Sequence, residues 1–239
     1  MSRSGLGSTF ALTLACRIAE RAPRTGGSAP VRTVLDNAFQ NAILVRVPRP
    51  KAFDPDDALE QAMRLFWERG FAATSMSDLV ERLGVSRQSL YDTFGDKEAI
   101  YTAALRRFRE KLGVPFRQFR AGEEPVRLGL RRLFDAVIAQ EQDSRCPRGC
   151  MLVNASVADH DAGPEVQRLL ADNALDVEQA FTERLRRAQE RGEIGAHHDP
   201  AALGRFYTAT LAGLRVIGRV SRDPAALADV VRVALGVLG

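Results

Sequence analysis

The stretch Thr74-Ser75-Met76-Ser77-Asp78-Leu79-Val80-Glu81-Arg82-Leu83-Gly84-Val85-Ser86-Arg87-Gln88-Ser89-Leu90-Tyr91-Asp92-Thr93-Phe94 decides the fold. Ser75 precedes Asp78 by three residues, the spacing of a capping box, so a short helix starts there. Leu79, Val80 and Leu83 fall on one face of it. Gly84 ends that helix where a positive φ is needed, a conformation glycine adopts at little steric cost. Val85 is placed to plug the gap between two helices. Ser86 is a natural N-cap for a second one, whose inward face is Leu90 and Phe94 at i and i+4. Outward are left Arg87, Gln88, Ser89, Tyr91, Asp92 and Thr93. Arg and Gln read base edges through bidentate hydrogen bonds, and Ser and Tyr hydroxyls reach phosphates or bases. A helical hairpin of this kind lays its second helix in the DNA major groove. Taken by itself, the hairpin is equally compatible with an ordinary surface-exposed pair of helices.

The flanks extend the unit. Asp54-Pro55 supplies a cap with proline at the first helical position. Ala58, Leu59, Ala62, Leu65 and Phe66 then form one apolar stripe that ends at Gly70-Phe71. After the hairpin, Asp96 caps a further helix carried by Ile100, Tyr101, Ala104, Leu105 and Phe108. Three short helices and a connecting helix are thereby expected over about residues 53–112.

Residues 48–112 resemble the N-terminal domain of the TetR family of bacterial transcriptional regulators. The matching residues are Arg49-Pro50-Lys51, Leu65-Phe66, Gly70-Phe71, Ala73-Thr74-Ser75-Met76, Leu83-Gly84-Val85-Ser86, Leu90-Tyr91, Phe94 and Asp96-Lys97-Glu98. Val80 departs from the pattern, since such hairpins often carry Ala there. The resemblance implies phosphate contacts from Thr74 or Ser75, from Tyr91 and from Lys97. It implies base contacts from Arg87, Gln88 and Ser89, with Ser86 heading the row. Lys97 falls in the first turn of its helix, where its ammonium and the helix N-terminus can face one phosphate. Arg49 and Lys51 are placed to reach the neighbouring backbone as an arm.

Charge has to be read by region. The 239 residues carry a net charge of +4, with 34 Lys and Arg against 30 Asp and Glu. The excess lies wholly in residues 1–46, where six Arg face Glu20 and Asp36; residues 47–112 and 113–239 are each balanced. DNA reading must therefore rest on where charge is placed rather than on its total. No run of 18 apolar residues exists, so no membrane span is expected. Residues 1–47 read as an N-terminal extension. It is either an over-extended start, with translation beginning near Val47, or a disordered basic tail with nonspecific DNA affinity.

From residue 113 the pattern is helical throughout, with helices expected near 125–143, 149–159, 164–191, 200–220 and 224–238. The fold class is thus all-α: an N-terminal helix-turn-helix domain (48–112, hairpin 75–94) and a C-terminal helical effector-binding and dimerisation domain (113–239). Leu203, Phe206, Tyr207, Thr210, Leu211, Leu214 and Ile217 line one of the last two helices, with Gly204, Gly213 and Gly218 allowing close approach. Leu227, Val230, Val231, Ala234, Leu235 and Leu238 line the other. Such a pair is core, or, as the resemblance implies, half of a four-helix dimer interface. A dimer sets two reading helices about 34–36 Å apart, on successive major-groove faces of a palindrome. The resemblance also implies a small-molecule effector pocket, with Phe116, Phe119, Phe134, Val137, Met151 and Phe181 as candidate walls; each, taken singly, reads first as plain core. The implied switch is a ligand that wedges the core, shifts the helix over about 97–112 and releases DNA.

Cys146-Pro147-Arg148-Gly149-Cys150 allows two readings: a thiol or soft-metal sensor, with Arg145 and Arg148 nearby and His160, His197 and His198 as further ligands, or a buried Cys150 with no such role. Enzyme signatures are missing: there is no Gly-x-Ser-x-Gly elbow, phosphate loop, His-Glu-x-x-His pair or Gly-x-Gly-x-x-Gly turn. The expectation is a non-enzymatic, cytoplasmic, nucleoid-associated regulator without cofactor or metal. Its expected partners are palindromic double-stranded DNA, a second copy of the chain and an unidentified effector. A DNA-binding protein of the same shape with no small-molecule input is the competing class.

Overall fold

The computed structural model describes residues 53–143, 147, 149–221 and 223–239. The N-terminal extension, Arg49, Lys51, Arg145, Cys146 and Arg148 lie outside them. The described residues are helical, with no strand among them. We number the helices α1 (Pro55–Arg69), α2 (Met76–Leu83), α3 (Arg87–Phe94), α4 (Lys97–Ala121), α5 (Val126–Gln142), α6 (Met151–Ala158), α7 (Pro164–Glu190), α8 (Pro200–Val220) and α9 (Pro224–Gly236). Proline opens α1, α7, α8 and α9, where its missing N–H would have had no intrahelical partner.

Local signals set the head. Asp54 caps α1 by accepting from the Asp56 N–H at 2.9 Å. The Ser75–Asp78 capping box closes in both directions at the start of α2. Gly84 takes φ 64° at its end, in the left-handed region. Ser86 caps α3 through the Ser89 N–H and Asp96 caps α4 through the Ala99 N–H.

The connecting helix α4 does not stop near residue 112 but runs on to Ala121 through Pro115. Proline inside a helix removes one backbone bond and crowds the preceding turn. Burial of Phe119 and packing of Phe116 against the same core offset that cost on the far side of the proline. α7 lies along both α4 and α8, and α1 packs on α4.

Two apolar cores result. The first joins Leu65, Phe66, Leu79, Leu90, Tyr101 and Phe108 of the head to Met151, Leu152, Val166 and Leu170 of α6 and α7. The head is thus built on the start of α7 rather than hung from α4 alone. The second core holds Phe119, Phe134, Phe181, Tyr207, Leu214, Val231 and Leu235. Gly204 lets α8 approach α7 so closely that a Cβ there would overlap Thr182 Oγ1, and Gly218 meets the Glu141 side chain in the same way. Gly213 faces open space instead.

Candidate nucleic-acid interface

Helix α3 has one buried anchor, Leu90, which is wholly inaccessible to solvent. Phe94 packs half-buried beside it against the first core. Everything a reading helix needs points the other way: Ser86, Arg87, Gln88, Tyr91 and Asp92 are exposed, and Ser89 and Thr93 are half-buried. Not all of these groups are equally free. Ser86 and Ser89 hydroxyls bond each other at 2.8 Å, and Gln88 Nε2 donates to Asp92 Oδ1 at 2.8 Å. Gln88 retains its carbonyl and one N–H, and can present the amide to a base edge only by turning from Asp92.

Placement of charge supplies what the balanced total does not. Arg69 and Arg82 are paired with Asp78 and Glu68. Arg107 and Lys111 share Glu60, Arg106 meets Glu165 and Arg109 meets Asp176. Arg87 has no ion-pair partner among the described residues, so an unneutralised guanidinium heads the exposed row of α3.

Lys97 opens α4. Its Nζ donates to the Phe71 carbonyl at 3.1 Å and sits 4.0 Å from the centroid of the Phe71 ring. One ammonium proton is thereby used and two remain, beside the first-turn amides of α4 that the Asp96 cap leaves free. Ser75 is exposed at the head of α2, its hydroxyl donating to Asp78 Oδ2 at 2.5 Å.

Thr74 does not join this surface. It is fully buried and its Oγ1 donates to the Gly70 carbonyl at 2.8 Å. Of the two hydroxyls expected to reach a phosphate, Ser75 is the accessible one, and Thr74 fastens the α1–α2 corner.

The expected pocket residues divide between the two cores. Phe119, Phe134, Val137 and Phe181 are buried together in the second, with Phe116 half-buried against them. Phe181 is the hub: its ring lies 5.4 Å from Phe119, 6.0 Å from Phe116, 6.4 Å from Phe134 and 5.8 Å from Tyr207. Tyr207, which donates to the Ala234 carbonyl at 2.9 Å, completes the set; burial pushes its phenol up to about 12. Met151 stands apart from these rings, in the first core. The six do not converge on one space.

Cys150 is the N-cap of α6, buried and without a side-chain cap bond. Among the described residues no three His, Cys, Asp or Glu side chains come together as a metal site. His197 and His198 lie against each other in the α7–α8 loop, and His160 is exposed.

Several buried polar contacts that hold the head to the rest of the chain have no signal in the sequence. Trp67 Nε1 donates to the Gly149 carbonyl at 3.1 Å, and Gly149 N–H donates to Glu141 Oε2 at 3.1 Å. Glu141 Oε1 in turn accepts from Arg215 Nη1 at 2.9 Å, and both of these side chains are almost completely buried. Tyr101 donates to the buried Asp159 at 2.5 Å; burial first, and this carboxylate second, push its phenol well above the usual tyrosine range.

The last two helices carry two apolar faces each. Leu203, Tyr207, Leu211 and Leu214 of α8, with Leu227, Val231, Ala234, Leu235 and Leu238 at α9, point into the second core. Phe206, Val216, Ile217 and Val220 of α8, Val230 and Val233 of α9 and Val237 at its C-cap point to solvent, Val220 at 82% and Val233 at 61% exposure. No helix of the described residues is long and apolar enough to cross a membrane.

Comparison with known proteins agrees with this layout. Residues 58–104 match the family described as bacterial regulatory proteins, tetR family, and residues 128–234 match the tetracyclin repressor-like C-terminal domain. The chain is 31% identical over 191 residues to the uncharacterized HTH-type transcriptional regulator YezE of Bacillus subtilis (strain 168), covering 80% of this chain and 98% of that protein. It is 32% identical over 188 residues to the HTH-type transcriptional repressor ComR of Escherichia coli (strain K12), covering 78% and 88% of the two chains. Among solved structures it resembles a cysteine mutant of the TetR family transcriptional regulator CifR complexed with 26-bp double-strand operator DNA. That likeness has a TM-score of 0.72 and 31% identity, over 80% of this chain and 100% of the other. With both halves matched, and a relative aligned over nearly its whole length, the chain belongs to the TetR family of bacterial transcriptional regulators.

Proposed function

We propose that this regulator acts as a homodimeric repressor that grips a palindromic operator with one α3 helix per subunit and lets go when a small effector binds. The observation that carries the reading is the exposed row of Arg87, Gln88 and Tyr91 on a short helix capped at Ser86 and anchored by Leu90. Base reading is assigned to Arg87, Gln88 and Ser89, and phosphate contacts to Ser75, Ser86, Tyr91 and Lys97. The CifR relative is complexed with operator DNA and the ComR relative is named a repressor, which supports operator binding and repression.

Dimerisation is assigned to the solvent-facing apolar residues of α8 and α9: Val230, Val233 and Val237 recur at three- and four-residue spacing as in a helix-bundle seam, and Val216, Ile217 and Val220 cluster at the end of α8 with Phe206 further back. Residues 48–112 form the reading unit in this proposal and 113–239 the effector and dimer unit. The effector site is placed at Phe116, Phe119, Phe134, Val137 and Phe181; ring-to-ring packing there means that a ligand enters by turning aromatic side chains aside. It need prefer the released arrangement by only about 1–3 kcal/mol to act as a switch.

Selection of binding sites from a random double-stranded DNA pool tests the core of this reading. An inverted repeat should emerge, with half-site centres about one helical turn or a multiple of it apart. A pool that stays random, or a single unrepeated motif, would overturn it.

A further inference from the structure

At the end of α4 farthest from the reading helix, α4 and α7 enclose an open groove of about 450 Å³. Arg117, Arg120 and Ala121 line it from α4, and Glu183, Arg186 and Arg187 from α7. Lys97 and Arg117 are separated by about 30 Å of helix at 1.5 Å per residue, so the groove is no part of the proposed operator surface.

Four guanidiniums around one carboxylate repel each other unless each has something to do. Two of them have. Arg120 forks onto Glu183, Nε to Oε2 at 2.6 Å and Nη2 to Oε1 at 2.8 Å. Arg187 donates to the Arg120 carbonyl, closing the last turn of α4, and reaches Glu123 at 3.8 Å. Arg117 and Arg186 are exposed and have neither an ion pair nor a hydrogen bond among the described residues.

Next to the groove residue Glu183 in the chain, but outside the lining, stands Arg184. Arg184 is fully buried, donates through Nη2 to the Glu124 carbonyl, and leaves Nε and Nη1 without partners. Burial first, and the Arg191 charge second, weaken its hold on its proton, with Glu124 opposing them, Arg187 adding to them and Glu193 opposing. The groove itself therefore presents two guanidiniums, Arg117 and Arg186, that no carboxylate or carbonyl of the described residues engages.

We propose that the groove is a binding site for a small multivalent phosphate anion, held by the forks of Arg117 and Arg186 with Arg120 and Arg187 beside them. Guanidinium forks match tetrahedral phosphate oxygens two at a time, which a lysine pair could not do. A groove of this size falls within the range of small-molecule sites, leaving room for more of the ligand than its phosphates.

Isothermal titration of the full chain with pyrophosphate, at low and moderate salt, tests it. Three proteins are compared: wild type, Arg117→Ala/Arg186→Ala, and Arg131→Ala/Arg132→Ala, which removes the same charge from exposed positions on α5. Saturable binding should weaken about tenfold or more in the groove variant and stay unchanged in the α5 variant. Equal weakening in both variants would mean diffuse attraction and overturn the site. No saturable binding to wild type, or binding of citrate but not pyrophosphate, would overturn it as well. So would a groove variant whose main defect is lost affinity for random DNA. Thermal melts of all three proteins separate each outcome from misfolding.

Discussion

Replacing Lys97 by Met separates its two roles. The substitution keeps an unbranched apolar stem over the Phe71 ring and removes the charge that lies 3.1 Å from the Phe71 carbonyl. If the two remaining ammonium protons meet an operator phosphate, each subunit gives up one neutralised phosphate and a dimer gives up two. Each phosphate contact contributes about 0.9 to the log–log salt slope, so the dimer slope should shrink by about 1.8. Between 50 and 200 mM salt, wild type should then lose about twelvefold more affinity than the variant. Fluorescence anisotropy with a selected operator duplex, titrated at five or six salt concentrations, measures the slope directly. The competing role is structural: the ammonium only ties α4 to the α1–α2 corner, a cation–π contact worth about 0.5–1 kcal/mol at an exposed site. A variant that melts earlier yet keeps the wild-type salt slope would refute the phosphate assignment.

Other substitutions address the remaining parts. Arg87→Ala and Gln88→Ala should each cost about 1–3 kcal/mol on the selected operator and little on random DNA; equal losses on both, by the same anisotropy assay, would contradict base reading. Glu141→Leu leaves Arg215 buried without its carboxylate and should lower stability by about 3–5 kcal/mol, much of it recovered by Glu141→Leu/Arg215→Leu, as read by urea unfolding. Asp78 is held below its ordinary 3.8 by the Ser75 hydroxyl, then the Ser75 N–H, with Arg69 adding to them. Its pKa is lower folded than unfolded, so its contribution is whole above 3.8 and is lost as pH falls through the folded value. Asp78→Asn should therefore flatten the stability curve below about pH 4, and an unchanged acid limb would argue against the capping box as its source.

Much of the head was legible because its signals are local. Ser75, Ser86, Asp54 and Asp96 cap within three residues of themselves, and Gly84 marks a backbone conformation that few other residues accept. Thr74 was not legible. A threonine before a helix reads as a free hydroxyl, and only the fold turns its Oγ1 back onto Gly70 one turn earlier. The end of α4 was missed for a related reason. The helix was expected to end near residue 112, and the burial of Phe119 against Phe181, 62 residues later in the chain, which holds the helix beyond Pro115, is invisible to any local window. The candidate pocket was legible as apolar residues but not as an arrangement: nothing in the spacing of Met151 and Phe134 says that they belong to different cores. Arg215 sits in the apolar stripe of α8 and makes sense only beside Glu141, 74 positions away.

That last pair bears on how the two halves of the molecule move together. Arg215 and Glu141 are both buried, so α5 and α8 cannot slide past one another without leaving an unpaired charge in the core. The second oxygen of the same carboxylate holds the Gly149 N–H, and the Gly149 carbonyl holds the Trp67 indole of α1. Gly149 adopts φ 78°, a conformation that strains any residue with a side chain, and an added Cβ would meet Asn154 Oδ1 at 2.9 Å. One residue, Gly149, thus joins the reading head to the paired helices α5 and α8, and it immediately precedes Cys150, the cap of α6. The head has a second tie on its other flank, where Tyr101 of α4 meets Asp159 at the end of α6. Both ties bracket α6, a helix of only eight residues. A small displacement of α6 therefore moves both attachments of the head at once, whereas a displacement of α9, which contacts neither tie, has to travel through α5 or α8 first.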